Sequence, residues 1–135
     1  MRRMEPVVII TNNPYVRDAY ETLALYTDCD VRSIFIAVRD RVHGGARVLS
    51  HPLSGSIKPW ESPYKSVVIS AKRGALDFAS LQLIEGALEK MNAYASPHMQ
   101  KKPPHGASLL ADFRIIDLDL MRSAIQSYGG IEHGI

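Results

Sequence analysis

Val7-Val8-Ile9-Ile10-Thr11-Asn12-Asn13-Pro14 is the stretch from which this chain is best read. Its first four residues are β-branched and apolar without a break, the pattern of a strand buried on both faces. The next four change character at once. Asparagine is a favoured helix N-cap, and proline suits the first helical position. Val16, Ala19, Tyr20 and Leu23 then fall along one helical face. The chain therefore opens as strand, tight turn, helix. The turn also gathers amides and carboxamides at a helix start, where an anion could be held, although capping alone would account for Asn12 and Asn13.

Working outward, residues 23–27 read either as a continuation of that helix or as a short strand. Asp28 or Asp30 can cap a second helix whose inner face is Val31, Ile34, Phe35, Val38 and Val42, with Gly44-Gly45 as its stop. Residues 46–50 are short and apolar enough for a strand. Ser66-Val67-Val68-Ile69-Ser70 is the second clear buried strand. Asp77 or Ser80 can cap a third helix with Leu81, Ile84, Leu88 and Met91 facing inward, ended by Pro97. Residues 97–106, with Pro103-Pro104, read as a polar, mobile linker. Phe113-Arg114-Ile115-Ile116 reads as a final strand, after which Asp117 caps a last helix through Met121, Ala124, Ile125 and Tyr128. A single helix over 109–127 is the alternative for this end, and residues 129–135 form a tail. Strands alternating with helices predict one α/β domain spanning residues 1–135. The expected architecture is a small three-layer Rossmann-like fold with a mostly parallel sheet of four to five strands. Its strand-to-helix turns would share one edge, where ligands of such sheets bind.

Composition narrows the function classes. The chain has 135 residues, enough to bury a core without disulfides or metal. Sixteen basic residues face fourteen acidic ones, a formal charge of +2, with no basic stripe of the kind that marks nucleic-acid binding. No apolar run approaches bilayer length, and the apolar run after Met1-Arg2-Arg3 is too short for a signal peptide, so neither a membrane nor secretion is expected. The single cysteine, Cys29, lies between two aspartates that disfavour its thiolate. A reducing cytoplasm fits best. No phosphate-loop, dinucleotide, zinc-finger, nucleophile-elbow or HExxH pattern occurs, and no cofactor or metal is expected.

The richest segment is residues 51–65, His51-Pro52-Leu53-Ser54-Gly55-Ser56-Ile57-Lys58-Pro59-Trp60-Glu61-Ser62-Pro63-Tyr64-Lys65. Three prolines and a glycine exclude a regular element, and long loops in small domains are often functional. Ser54, Gly55 and Ser56 could present amides and hydroxyls to a phosphate or carboxylate. Lys58 and Lys65 would add charge, and His51 could act as acid, base or ligand. Read blandly, the segment is a proline-braced crossover whose polar groups satisfy its own backbone. Arg39-Asp40 lies on the second helix with His43 one turn on from Asp40, which reads first as a solvated i,i+3 pair; if that helix packs beside the loop, Arg39 could reach the same anion. The expected ligand-binding set is Asn12, Asn13, Arg39, His51, Ser54, Gly55, Ser56, Lys58, Tyr64 and Lys65. Asp117 and Asp119 close the last expected strand, where a carboxylate can be catalytic, but Asp117 reads first as a helix cap.

Several segments, taken in order, resemble a known family. They are Ile10-Thr11-Asn12-Asn13-Pro14, Val38-Arg39-Asp40-Arg41-Val42-His43-Gly44, Leu49-Ser50-His51-Pro52-Leu53-Ser54-Gly55-Ser56-Ile57-Lys58-Pro59, Glu61-Ser62-Pro63-Tyr64-Lys65-Ser66 and Leu76-Asp77-Phe78. The set is similar to the GrdX family, small proteins encoded beside components of glycine, sarcosine or betaine reductase. The resemblance implies a small cytoplasmic accessory protein and carries over no catalytic residue.

The leading expectation is an accessory protein that binds a small anionic metabolite, or a partner such as a reductase component, with homo-oligomers left open. The rival is an enzyme, a hydrolase or transferase acting on an amino-acid-derived or phosphorylated metabolite. There His51 would be acid or base, and Lys58 and Arg39 would hold the substrate. A third reading is a structural subunit docking through Trp60.

Overall fold

A computed structural model describes residues 6–52, 62–94 and 107–128. The elements run β1 (Val7–Thr11), α1 (Pro14–Ala19), β2 (Ala24–Tyr26), α2 (Val31–His43), β3 (Ser66–Ser70), α3 (Phe78–Tyr94) and α4 (Ala107–Tyr128). Among the described residues the sheet has three strands in the order β2-β1-β3. It is mixed: β1 pairs parallel to β2 and antiparallel to β3.

This corrects the expectation of a mostly parallel, Rossmann-like sheet of four to five strands, and three particular features account for it. Residues 46–50 do run along the outer edge of β3, but they make only an isolated bridge, Val48 to Ile69. Serine hydroxyls take two of the amides a ladder would use: Arg47 N donates to Ser70 Oγ and Val68 N to Ser50 Oγ, each at 2.8 Å. Val48 N, which faces away from β3, donates to Ser80 Oγ at 2.8 Å. The chain then has to return past residue 52 before entering β3 at Ser66, so β3 arrives antiparallel to β1. The third feature is residues 113–116. They lie inside α4, a helix of 22 residues, and form no strand. The single-helix alternative is the one the structure takes, and Asp117 is mid-helix and caps nothing.

The other local readings mostly follow the chain's own chemistry. Asn13 caps α1, its side chain accepting from Tyr15 N, with Pro14 at the first helical position. That helix is shorter than its apolar spacing predicts. It ends at Ala19, and Leu23 lies beyond it, leading into the three-residue β2. Asp30 caps α2 by accepting from Ser33 N. Asp77 caps α3, its Oδ2 accepting from Ser80 N at 3.1 Å. Gly45, which follows α2, has φ of +102°, and a Cβ there would lie 2.3 Å from the carbonyl oxygen of Gly74. Only glycine fits that approach.

Helices cover both faces of the sheet. On one face Ile10, Val67 and Ile69 pack with Phe35, Val38 and Val42 of α2 and Ile84 and Leu88 of α3. On the other, Val7, Ile9 and Val68 pack with Val16 of α1 and Met121 and Ile125 of α4. Residues 97–106 and 129–135, read as linker and tail, lie outside the described residues.

Candidate functional site

The carboxyl ends of the parallel strands β1 and β2 meet the start of β3 and the middle of α4. Asn12 ties three segments together there. Its Nδ2 donates to the carbonyls of Cys29 at 2.8 Å and Pro63 at 2.9 Å, and its Oδ1 accepts from Lys65 N at 2.8 Å. Its own backbone N–H reaches Lys65 O at 3.4 Å. The asparagine corner therefore holds the end of the proline-rich segment, and its carboxamide is fully used in doing so.

Asn13 faces the other way. Its Oδ1 accepts from Tyr15 N at 3.0 Å, and its Nδ2 donates to the carbonyl of Arg114 and to Asp117 Oδ2, both at 3.0 Å. One residue thus caps α1 and binds it to α4. Asp117 is 4% exposed. Besides Asn13, its Oδ2 accepts from Ser66 Oγ at 2.7 Å. That bond uses the single proton of the Ser66 hydroxyl, so in the 2.6 Å contact between Thr11 Oγ1 and Ser66 Oγ the donor is Thr11. Thr11 Oγ1 in turn accepts from Asn13 N at 2.9 Å. The donors run in one direction, from Asn13 N–H through Thr11 and Ser66 to Asp117.

Two physical effects oppose each other at that carboxyl. Burial pushes its pKa up, while the bonds from Ser66 and Asn13 and the charge of Lys65 pull it down; burial wins. Lys65 is 9% exposed. Burial lowers its pKa, and Asp117 offsets part of that. A desolvated amine and a desolvated carboxyl therefore share this edge of the sheet.

Arg114 lies one turn before Asp117 on α4. Its Nε donates to the Tyr64 hydroxyl at 2.8 Å, and its guanidinium carbon lies 5.1 Å from the Tyr64 ring centroid and 5.6 Å from that of Tyr15. The bond to Tyr64 leads the causes that raise its pKa above the ordinary value. A cation flanked by two rings therefore lies one helical turn before Asp117, bonded to the residue that precedes Lys65.

The sequence-derived set divides accordingly. Asn12, Asn13, Tyr64 and Lys65 come together here. Arg39 does not join them: it is nine residues past the α2 cap, roughly 13 Å along the helix toward the opposite end of the sheet. Its Nε is buried without a hydrogen-bond partner. His51 is exposed where the chain leaves the edge of β3. Ser54, Gly55, Ser56 and Lys58 lie outside the described residues, as does Trp60. Cys29 has its pKa raised, by burial first and then by Asp30 and Asp28. Among the described residues no group of three His, Cys, Asp or Glu could hold a metal ion, and no helix is long and apolar enough to cross a membrane.

A family model described as GrdX-like protein matches residues 8–126. The chain belongs to the GrdX-like protein family. No curated protein and no solved structure matches it. In this GrdX-like chain the match covers β1 through nearly all of α4, so it spans the asparagine corner, Lys65 and the Arg114–Asp117 turn.

Sequence reasoning did not place Thr11, Tyr15, Ser66 and Arg114 in the site, and it weighed Asp117 chiefly as a cap. One signal could have found Arg114 and Asp117. In a helix over 109–127 they fall on the same inward stripe as Leu110, Leu118, Met121 and Ile125. Charged residues on a buried stripe are costly and mark a partner or a site.

Proposed function

We propose that this GrdX-like chain is a cytoplasmic accessory protein that binds a small anionic metabolite over Arg114 and Lys65. The observation that carries the reading is the placement of Arg114. Its Nε and ring contacts fix the guanidinium against Tyr64 and Tyr15, and the next residue after Tyr64 is a lysine that burial has stripped of most of its water. Fixed donors in a partly dry setting bind carboxylate or phosphate better than mobile surface cations do. Asn12 and Asn13 support the site and do not contact the ligand, because their carboxamides are already committed to the protein. In the reductase setting that the family implies, such a protein would hold or sense a carboxylate or phosphate of amino-acid fermentation.

Thermal-shift titration with inorganic phosphate, acetate and small 2-oxo acids tests this. A true ligand at a hundred times its Kd adds about 2.7 kcal/mol of stability. Arg114→Gln should abolish the shift while leaving the unliganded melting temperature close to that of the parent. Equal shifts in the parent and in Arg114→Gln would sink the proposal.

A further inference from the structure

We propose that Lys65 is a carbonyl-condensing amine, forming an imine with a small carbonyl compound that carries a carboxylate, such as a 2-oxo acid. The inference rests on the anion site above, with Arg114 as the group that holds the carboxylate.

The position of Lys65 makes the case. It is held by the backbone on both sides, Asn12 Oδ1 accepting its N–H and Asn12 N–H reaching its carbonyl. It immediately precedes β3, a strand with every residue buried. At 9% exposure its side chain has lost most of the water that would stabilise an ammonium. A desolvated lysine is the form of this residue that attacks carbonyl carbon. The downward direction of its pKa agrees. Among the described residues no ion-pair contact joins Lys65 to Asp117. The carboxyl is bound instead by Asn13 and Ser66, so the amine is influenced by the charge without being tied to it.

The chemistry balances without a redox partner. The neutral amine nitrogen donates its lone pair to the carbonyl carbon, and the carbonyl π pair moves to oxygen. A proton leaves the nitrogen and one is taken up by the oxygen, giving a carbinolamine. A second proton on that oxygen lets it depart as water while the nitrogen lone pair forms the C=N bond, and the resulting iminium nitrogen gives up its remaining proton to replace the one consumed. Amine and carbonyl become imine and water. Asp117, with the Thr11–Ser66 hydroxyl chain behind it, is the acid–base group beside these transfers.

The test is reductive trapping of the full chain with pyruvate and cyanoborohydride, followed by peptide mapping. The expected result is one carboxyethyl adduct, on Lys65, with the exposed Lys72 and Lys90 unmodified. Lys65→Arg keeps the charge, removes the primary amine and loses the adduct. Arg114→Gln slows trapping of pyruvate about tenfold, equivalent to ~1.4 kcal/mol, without slowing trapping of uncharged acetone. Absence of an adduct, or an adduct spread over Lys72 and Lys90, overturns the proposal. Stabilisation by phosphate or acetate without trapping would remove the imine and leave the anion site standing. Loss of both would remove both.

Discussion

On the face that carries α2 and α3, the sheet meets an apolar layer in which Phe35, Val38, Val42 and Ile84 have no exposed surface. On the face that carries α1 and α4, the apolar cluster is smaller, and at its upper end the contact between helix and sheet passes through Asn13, Thr11, Ser66 and Asp117. Both faces bury the same strands, but they respond to different perturbations. Apolar contact is insensitive to pH and tolerant of small shifts in position, whereas a hydrogen-bonded buried carboxyl is sensitive to both. A domain with one face of each kind keeps its fold while leaving one edge that responds to pH.

The largest expected effect comes from breaking the apolar face. Phe35 is fully buried at the centre of the α2 layer. Phe35→Ala should cost about 3–5 kcal/mol, from lost transfer free energy plus the cavity left behind. Denaturant unfolding measures it. A loss below about 1 kcal/mol would mean that α2 is not anchored by this contact and that the two faces differ less than their residues indicate.

The next effect belongs to the polar face and depends on pH. The folded-state pKa of Asp117 is raised, so the folded protein holds its proton more tightly than the unfolded chain does. Between the ordinary carboxyl range and that raised value, the folded state binds more protons, and stability falls as pH rises. Ionised Asp117 is therefore a cost at neutral pH that is relieved on acidification through the raised pKa. Asp117→Asn cannot titrate and keeps an acceptor for Ser66. Its stability should lose that acid-side slope and exceed that of the parent near pH 7. Unfolding curves across the acid range would show it. An unchanged slope in Asp117→Asn would move the buried charge elsewhere.

The same contrast explains how far the sequence could be read. Val7-Val8-Ile9-Ile10 and Ser66-Val67-Val68-Ile69-Ser70 announce their burial directly, and Asn13-Pro14, Asp30 and Asp77 mark helix starts because capping is local chemistry. The sense of β3 was not legible, since it depends on where residues 46–65 take the chain, and a one-dimensional pattern does not record that. Residues 46–50 carry strand propensity, but the hydroxyls of Ser50 and Ser70 take the ladder's place, a substitution visible only when the two segments meet. In α4 the misreading and the site have one cause. Arg114 and Asp117 interrupt the apolar period that would have declared a helix, while Ile115 and Ile116 imitate a strand although they lie on its exposed side. For the site itself, the asparagine corner and Tyr64-Lys65 could be named in advance. Their partners on α4, 50 residues beyond Tyr64 and 101 to 104 beyond Asn13, could not.

The smallest expected effect sharpens the comparison from the surface of the apolar face. His43 of α2 lies 3.9 Å from Glu85 of α3, and both side chains are about half exposed. A pair so exposed is screened by solvent and carries the entropy cost of holding two long side chains in place. If α2 and α3 are joined by the apolar layer beneath, His43→Gln should change stability by less than about 0.5 kcal/mol. Chemical denaturation measures this. A larger change would show that the seam between α2 and α3 relies on charge, and the distinction between an apolar face and a polar one would then narrow to the Asn13–Asp117 contact alone.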